Sequence, residues 1–459
     1  MKRVVVLGAG LVVKPAVDYF LEKCGYKVVV TSRKKANAEK IIQERSGGEA
    51  FAWSIDQLDS LGRLVAGADL VLSMIPPSMH FPVAEVCVKH RKNMVTTSYL
   101  SPAMEGLDKM SRERDILILN EIGEDPGLDN MSAKRLIDQA KSEGGEIAAV
   151  TSYGAGLPAF EHNNNPFGYK FSWSPKGVIL AAQAPAAYCV AGERVEVPAK
   201  ELFDHHWLVD LEGIGSFETY PNRDSGAYLD CFQLSGKSSI YRGLLRYVGW
   251  CNTMKGMADI GLFDTIQERN FRNMDCAQFM ADLIGEGDSH NILQRTARFL
   301  HTAENSDVIK KLDWLGLFRN RKIPMEKGSN GDVLVELMTR RMSYAPHERD
   351  MVIVHSEIIA SFSGRWERRS ATLLKKGEPN GDSAMSRAVS LPAAIAARRI
   401  LEGKIAAKGV HRPTLPEIYH PVLEEMAALG FPFVDKREKI DGSNLVFARQ
   451  PAPTAGSSL

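Results

Sequence analysis

The sequence has no long apolar run and no excess of charge of one sign. No apolar stretch approaches the roughly 18 residues that cross a membrane as a helix, although 44% of the 459 residues are hydrophobic. The 57 basic residues are matched by 56 acidic ones, so no overall charge attracts nucleic acid or an anionic membrane. We therefore expect a soluble globular protein with a small-molecule partner, no nucleic-acid partner and no membrane partner.

Paired cysteine motifs are also missing. The six cysteines form no C-x-x-C pair and no metal-ligand spacing, and His205-His206 lacks partners at such a spacing, so no metal site is predicted. Scattered cysteines are typical of reduced thiols in a cytoplasmic protein. The N-terminus leads directly into an apolar run, which leaves no room for a signal peptide. We expect a cytoplasmic location.

The first 35 residues predict a strand, a turn, a helix and a second strand. The apolar run Val4–Leu7 ends in Gly8-Ala9-Gly10, Pro15 suits the first turn of a helix, and Val28–Val30 form the next strand. Glycines at such a turn let the backbone approach a pyrophosphate. Val13 replaces the third glycine of the G-x-G-x-x-G fingerprint, so a βαβ unit without a nucleotide is the alternative.

The residues after the second strand favour NADP. An NAD-binding unit usually has an acidic residue here, but this chain has Thr31-Ser32-Arg33-Lys34-Lys35. Arg33 cannot accept a hydrogen bond from a 2′-hydroxyl, whereas it can stack on adenine and pair with a 2′-phosphate. The predicted cofactor is NADP(H).

Further apolar runs complete a Rossmann-type, doubly wound parallel α/β sheet. Strands are predicted over 51–56, 68–75, 93–97 and 116–120. Pro76-Pro77 place a loop at the carboxyl end of one strand, where loops line the cofactor crevice.

The pattern changes near residue 127. Residues 127–379 predict a second, mixed-sheet α+β domain for substrate and dimerisation, with a helical segment at about 252–316 and an irregular stretch at 154–177. From residue 380 the pattern returns to that of the first domain. The predicted NADP-binding domain is therefore discontinuous, 1–126 plus 380–425, and the tail 450–459 is expected to be disordered.

Candidate substrate groups lie at predicted strand ends and turns. Ser98 and Tyr99 follow one strand, and Glu121 and Asp125 follow the next. Arginines such as Arg223 and Arg246 are suited to bidentate recognition of carboxylates. The alternative for the two arginines is that they form surface ion pairs. The alternative for Glu121, Asp125 and Asp129 is that they cap helices or accept hydrogen bonds from loop N–H groups.

Several longer motifs together resemble the glutamate-forming saccharopine dehydrogenases, and the resemblance runs nearly end to end. The motifs are Thr96-Thr-Ser-Tyr-Leu-Ser-Pro-Ala-Met104, Asn120-Glu-Ile-Gly-Glu-Asp-Pro-Gly127, Gly156-Leu-Pro-Ala159 with Asn165–Ser174, Tyr220-Pro-Asn-Arg-Asp-Ser225, Arg242-Gly-Leu-Leu-Arg-Tyr247 and Gly381-Asp-Ser-Ala-Met385.

The resemblance implies that NADPH reduces the imine formed from α-aminoadipate semialdehyde and glutamate to saccharopine, or the reverse, in a homodimeric enzyme of lysine metabolism. The residues that it implies for NADP are Gly8, Ala9, Gly10, Leu11, Val12, Ser32, Arg33, Ile55, Asp56, Ile75, Pro76, Thr97, Ser98 and Ser174. Those that it implies for substrate are Ser98, Tyr99, Asp125, Arg223, Leu244, Leu245 and Arg246. Asp125 suits the substrate's ammonium or secondary amine, and Tyr99 or an ordered water is the predicted proton carrier.

Four positions depart from the family pattern. Gly154 replaces a common Cys, Glu124 a Leu, Asn130 a His and Leu244 a Thr. Loss of the cysteine indicates that no thiol chemistry is needed. The added acid and Leu244 leave two alternatives open: an imine reductase for a carboxyspermidine-type polyamine or another N-(carboxyalkyl) amino acid, and a non-catalytic NADP-binding protein.

Overall fold

The structure is a computed structural model and describes residues 1–441. Within those residues the strands, numbered in chain order, are β1 (Arg3–Leu7), β2 (Lys27–Ser32), β3 (Gly48–Ala52), β4 (Leu70–Ser73), β5 (Asn93–Thr96), β6 (Leu117–Leu119), β7 (Glu146–Pro158), β8 (Ala186–Val190), β9 (Glu193–Val197), β10 (Trp207–Leu211), β11 (Gly215–Pro221), β12 (Ser239–Arg246), β13 (Arg269–Asn270), β14 (Lys327–Gly328), β15 (Asp350–Phe362), β16 (Arg365–Lys376), β17 (Gly409–His411) and β18 (Val434–Ile440).

The α-helices of the same residues are α1 (Lys14–Asp18), α2 (Lys35–Ile42), α3 (Leu58–Ala66), α4 (His80–His90), α5 (Pro102–Glu105), α6 (Asp108–Glu113), α7 (Leu128–Ser142), α8 (Pro175–Ala181), α9 (Trp250–Ile260), α10 (Cys276–Leu283), α11 (Ile292–Phe299), α12 (Asp307–Leu315), α13 (Asn330–Arg341), α14 (Ala384–Leu401) and α15 (Pro416–Ala428).

The chain divides into two compact units, and each is described by itself. Unit 1 comprises Met1–Gly156, Tyr228–Ser238 and the described residues from Met351 onward. Unit 2 comprises Leu157–Ala227 and Ser239–Asp350. The compact units are not divided at 126 and 380, because β16 and most of β7 and β15 belong to unit 1. The functional boundaries expected from the sequence stay a prediction.

Unit 1 contains a parallel sheet in the order β17-β6-β5-β4-β1-β2-β3, which confirms the predicted Rossmann-type fold. Its strands are apolar because both faces are covered. On one face Val5 and Leu7 of β1 join a core with Leu61 and Val65 of α3. The small-residue helix α14 packs against β4 and β5. The last strand, β17, is contributed after residue 400 and pairs with β6.

Two predicted stretches differ from the structure. The third strand is Gly48–Ala52 rather than 51–56, because its register with β2 ends at the pair Ser32↔Ala52 and the chain then turns. The irregular stretch predicted from residue 154 instead begins as strand, because β7 continues to Pro158. Pairing with neighbouring strands outweighs the preference of glycine and proline for loops over residues 154–158.

Unit 1 also holds β7, β15, β16 and β18, adjacent in that order, with antiparallel pairing from β15 to β18. The helix α7 packs on β16 and on α15. Unit 2 holds an antiparallel set in which β10, β11 and β12 are neighbours and β8 joins β12 to β9. The helices α9–α13 fall between β12 and β15 in the chain.

None of the helices within residues 1–441 is long and apolar enough to cross a membrane. Over the same residues, no group of three or more His, Cys, Asp or Glu side chains is arranged to hold a metal ion. The tail 450–459, for which disorder is expected, lies outside the described residues.

Candidate functional site

The glycine turn after β1 brings two strand ends into close contact. Gly8 adopts φ 111°, and a Cβ placed there would lie 2.7 Å from the carbonyl oxygen of Met74, next to β4. A Cβ on Gly10 would meet no atom within 4 Å. The turn is therefore tightly packed at its start and open at Gly10, as an approaching phosphate requires. Val13 is fully buried in the core.

The other residues predicted for NADP in unit 1 follow the parallel strands. Ser32 ends β2, Arg33 after it is exposed, and the exposed Asp56 accepts a hydrogen bond from Ser54 Oγ at 3.2 Å. Ile75 and Pro76 follow β4, and Thr97 and Ser98 follow β5. Most of this predicted set therefore collects at the carboxyl edge of one sheet, where open α/β folds bind ligands.

A buried histidine joins two of these strand ends. His80, the first residue of α4, lies with Nδ1 2.9 Å from Ser73 Oγ. Its Nε2 lies 2.8 Å from Ser98 Oγ and 3.1 Å from Thr96 Oγ1. Burial lowers the pKa of His80 to about 4, so the ring is neutral at ordinary pH.

Tyr99 and Asp125 form a direct pair in unit 1. The hydroxyl of Tyr99 donates a hydrogen bond to Asp125 Oδ1 at 2.7 Å. Gly154 of β7 lies against the same carboxylate, because a Cβ placed there would be 2.6 Å from Asp125 Oδ2 and 2.9 Å from Asp125 Cβ. The absence of a side chain at Gly154 therefore makes room for Asp125. The two predicted catalytic residues are together.

Glu121 organises the loop that precedes Asp125. Its side chain is 1% exposed and the residue adopts φ 58°. Oε1 accepts from the N–H of Leu100 at 2.9 Å and from Arg412 Nε at 3.0 Å. Oε2 accepts from the hydroxyl of Tyr228 at 2.8 Å and from Asn130 Nδ2 at 3.3 Å. Glu121 thus accepts hydrogen bonds from a loop N–H group and from side chains, which is the alternative that the sequence left open for it.

The loop carrying Asp125 ends at the start of α7. Gly127 adopts φ 152°, and a Cβ there would lie 2.0 Å from the carbonyl oxygen of Gly123, so another residue is sterically excluded. The N–H of Gly127 donates to Asp129 Oδ1 at 2.6 Å. Asp129 is therefore also a ligand of a loop N–H group, as the alternative predicted.

In unit 2, Arg246 at the end of β12 is buried rather than a surface ion-pair partner. Its side chain is 4% exposed, and Nη1 donates to the carbonyl oxygen of Leu245 at 2.7 Å. The guanidinium carbon lies 5.3 Å from the ring centre of Tyr169, 5.9 Å from that of Tyr220 and 5.5 Å from that of Trp250. Aromatic rings stabilise a cation removed from water.

The other residues predicted in unit 2 lie on strands, turns and one helix. Arg223 is exposed at φ 60°, and its carbonyl oxygen accepts from the N–H of Ala187 at 2.9 Å. Leu244 and Leu245 lie on β12, opposite Tyr220 and Thr219 of β11. Ser174 caps α8, where its Oγ accepts from the N–H of Gly177 at 3.1 Å. This contact gives Ser174 a local structural role.

Sequence reasoning missed the roles of His80, Gly154 and Arg412 in this arrangement. His80 had a usable signal, because it closely follows Pro76-Pro77 at a predicted strand end. Gly154 carried no such signal, since the approach of Asp125 involves a residue 29 positions earlier in the chain. The contact of Arg412 with Glu121 depends on the return of the chain to the parallel sheet.

Models of two protein families match most of the chain. Residues 4–119 match the saccharopine dehydrogenase NADP binding domain, and residues 123–431 match the saccharopine dehydrogenase C-terminal domain. The chain belongs to the saccharopine dehydrogenase family. The family predicted from the motifs is confirmed.

Individual relatives agree with this family assignment. The L-glutamate-forming, NADP(+) saccharopine dehydrogenase of Schizosaccharomyces pombe is 31% identical over 440 residues, 94% of this chain and 98% of the relative. The Bos taurus mitochondrial alpha-aminoadipic semialdehyde synthase is 35% identical over 437 residues, 94% of this chain and 47% of the relative. The chain therefore spans about half the length of such synthases.

Two solved structures resemble the fold. The apo saccharopine dehydrogenase (L-Glu forming) of Saccharomyces cerevisiae has a TM-score of 0.84 and 30% identity, covering 95% of this chain and 100% of that chain. The homospermidine synthase of Legionella pneumophila, in complex with NAD, has a TM-score of 0.60 and 11% identity, covering 96% of this chain and 92% of that chain. At that identity the second likeness concerns the fold alone.

The four departures from the family pattern occupy defined places. Gly154 lies against Asp125, and Asn130 donates to Glu121. Glu124 is 6% exposed and directly precedes Asp125, while Leu244 lies on β12. Gly154 and Asn130 therefore contact the segment 121–125, which carries Asp125.

Proposed function

We propose that this chain is an NADP(H)-dependent oxidoreductase that interconverts saccharopine with L-glutamate and α-aminoadipate semialdehyde, in lysine metabolism. The observation that carries the proposal is the likeness to L-glutamate-forming saccharopine dehydrogenases over nearly the full length of both chains. The adjacent Tyr99 and Asp125 add a donor and an acceptor for a substrate nitrogen.

The residues around the glycine turn fit NADP. When bound, NADPH supplies the hydride that reduces the imine carbon. The backbone of Gly8–Val12 holds the pyrophosphate, because Gly10 leaves space and Gly8 admits the tight turn. Exposed Arg33 pairs with the 2′-phosphate, with Ser32 beside it. Residues after the other strands contact the remaining parts of the cofactor: Ile55, Asp56, Ile75, Pro76, Thr97 and Ser98. Ser174 completes the proposed set of cofactor residues.

The substrate is recognised by its charges. Arg223 and Arg246 bind carboxylates of saccharopine, since guanidinium groups form paired hydrogen bonds with carboxylates. Ser98, Leu244 and Leu245 complete the contacts. Asp125 binds the substrate's ammonium or secondary amine. Tyr99, held at 2.7 Å from Asp125, delivers the proton to nitrogen as the imine becomes the secondary amine, and removes it in the reverse direction.

A second candidate is a related imine reductase for a polyamine conjugate, such as a carboxyspermidine-type product, or another N-(carboxyalkyl) amino acid. It is favoured by Glu124, a buried acid beside Asp125, because cationic amines bind next to carboxylates. A non-catalytic NADP-binding protein is the third candidate and rests on Val13 and on the four departures from the family pattern. Arg246, enclosed by aromatic rings, favours the saccharopine reaction because saccharopine carries three carboxylates and a diamine-derived conjugate carries fewer.

The proposal extends to organisation and location. Residues 1–126 plus 380–425 bind the nucleotide, supported by the packing of α14 on β4 and β5 and by the pairing of β17 with β6. Residues 127–379 supply substrate and dimer contacts. The enzyme is cytoplasmic, because all six cysteines are free thiols and such thiols are typical of reducing compartments. It is a homodimer, which analytical ultracentrifugation tests directly.

The deciding experiment measures NADPH oxidation by the full chain. α-Aminoadipate semialdehyde is paired first with L-glutamate and then with a diamine. Turnover with glutamate that falls about 100-fold or more in Asp125→Asn, but not in Asp59→Asn on the exposed face of α3, supports the proposal. Turnover only with the diamine supports the second candidate. NADPH binding without turnover on either pair supports the third.

A further inference from the structure

The polar cluster around His80 connects three elements of unit 1. His80 begins α4, Ser73 ends β4 and Thr96 ends β5, and all three are at most 3% exposed. The ring contacts the hydroxyls of Ser73, Thr96 and Ser98 at 2.9, 3.1 and 2.8 Å. Of these three hydroxyl residues only Ser98 is partly exposed. The cluster therefore has three buried members and one member, Ser98, that is accessible from solvent.

Ser98 is held through both its backbone and its side chain. Its N–H donates to Thr96 Oγ1 at 3.3 Å, and its hydroxyl lies 2.8 Å from His80 Nε2. A neutral imidazole has one N–H donor and one acceptor nitrogen. With the proton on Nδ1, the ring donates to Ser73 and accepts from Ser98, whose lone pairs are then available to a ligand. With the proton on Nε2, the ring donates to Ser98, whose hydrogen is then available to the ligand.

We propose that His80 is a positioning residue that fixes the rotamer and the hydrogen-bonding direction of the Ser98 hydroxyl for the bound ligand. The inference rests on the proposed function, in which Ser98 contacts NADP and substrate. Ser73 anchors the far nitrogen of the ring and so acts on Ser98 through His80. A phenylalanine ring at position 80 keeps the packing of α4 but leaves the Ser98 hydroxyl free to rotate.

The test is a double-mutant cycle in the full chain. His80→Phe, Ser98→Ala and the double variant are compared for kcat/KM with saccharopine and NADP and for the dissociation constant of NADPH. We expect His80→Phe to lower kcat/KM, to raise the dissociation constant of NADPH, or both, by about three- to tenfold, which is the effect of one hydrogen bond. In the Ser98→Ala background the same change has less than about a twofold effect, because the group that His80 orients is gone. His90→Phe at the other end of α4 is the matched control and leaves both quantities unchanged.

Each outcome of the cycle supports or overturns the positioning role of His80. Equal losses from His80→Phe in both backgrounds indicate a general structural role and overturn the proposal, as does the absence of any loss when Ser98 is present. If His80→Phe fails to fold, Ser73→Ala replaces it in the cycle, because it removes the anchor of Nδ1 and retains the ring. A wild-type chain that binds NADPH without turning over saccharopine overturns the proposed function, while the NADPH cycle still tests His80.

Discussion

Glu121 in unit 1 and Arg246 in unit 2 are both buried ionisable side chains, 1% and 4% exposed. Glu121 receives hydrogen bonds from four groups of unit 1, on Leu100, Asn130, Tyr228 and Arg412. Arg246 has three aromatic rings within 6 Å of its guanidinium carbon. A carboxylate bonded by four protein groups stabilises the fold around it, whereas a guanidinium packed on aromatic rings is stabilised as a cation away from water. We therefore expect substitution of Glu121 to lower the stability of the fold, and substitution of Arg246 to weaken the proposed binding of substrate carboxylates.

The largest expected effect comes from Glu121→Met. The change leaves four donors without their acceptor, including the guanidinium of Arg412. Burial lowers the pKa of Arg412, but the charge of Glu121, the neighbouring Cys231 and Tyr228 and the hydrogen bond to Glu121 together raise this pKa above its ordinary value. We expect the free energy of unfolding, from urea denaturation, to fall by about 3–5 kcal/mol.

Two comparisons sharpen the Glu121 prediction. Glu49 is the ion-pair partner of Arg3, and its side chain is 62% exposed. Glu49→Met should therefore lower the free energy of unfolding by less than about 1 kcal/mol. Adding Arg412→Met to Glu121→Met should recover part of the loss, because the uncompensated charge is removed. A loss below about 1 kcal/mol for Glu121→Met would contradict its role as the centre of this loop.

Gly154 tests how closely unit 1 depends on geometry. Gly154→Ala places a Cβ 2.6 Å from Asp125 Oδ2, so the carboxylate must move away from its position beside Tyr99. A displacement of about 1 Å at reacting groups reduces catalysis by about 100-fold. We expect a loss of that size in kcat for saccharopine, measured at saturating NADP.

The matched control for Gly154 is Gly236→Ala. A Cβ on Gly236 meets no atom within 4 Å, and the residue belongs to the same unit, so kcat should not change. If Gly154→Ala retains kcat within about twofold, the placement of Asp125 does not limit the reaction. The larger Gly154→Cys then shows how large a side chain the site accepts.

The sequence was sufficient to predict the parallel sheet, because β1, β4 and β5 are short apolar runs that end in glycine or polar residues. It also indicated Arg33 and the Tyr99 and Asp125 motifs. It could not predict the contacts that hold them. Glu121 meets Arg412 across 291 positions, and the stretch from Gly154 to Pro158 is strand although its composition favours a loop. Such contacts are produced by tertiary pairing and leave no local pattern.

Arg246→Met tests charge recognition in unit 2. Methionine retains apolar packing against Tyr169, Tyr220 and Trp250 but has no donors for a carboxylate. We expect the KM for saccharopine to rise about 10- to 100-fold, the loss of a hydrogen bond between charged groups. Arg269, over the rings of Phe271 and Phe279 at 5.8 and 5.5 Å, is the control, and Arg269→Met should leave KM unchanged. A large loss of stability with unchanged KM in Arg246→Met would assign Arg246 a structural role.

The smallest expected effect is a pH dependence that arises in unit 1. Burial lowers the pKa of both His80 and His355 to about 4, against about 6.5 in the unfolded chain. Between these values the unfolded state binds more protons than the folded state, so stability falls as the pH falls. From pH 7.5 to 6 each histidine should cost the fold about 0.8 kcal/mol. Urea denaturation of His355→Phe over this range should show a flatter pH profile than that of the unmodified chain, because the substituted ring does not titrate. An unchanged profile would show that burial does not keep His355 neutral over this range.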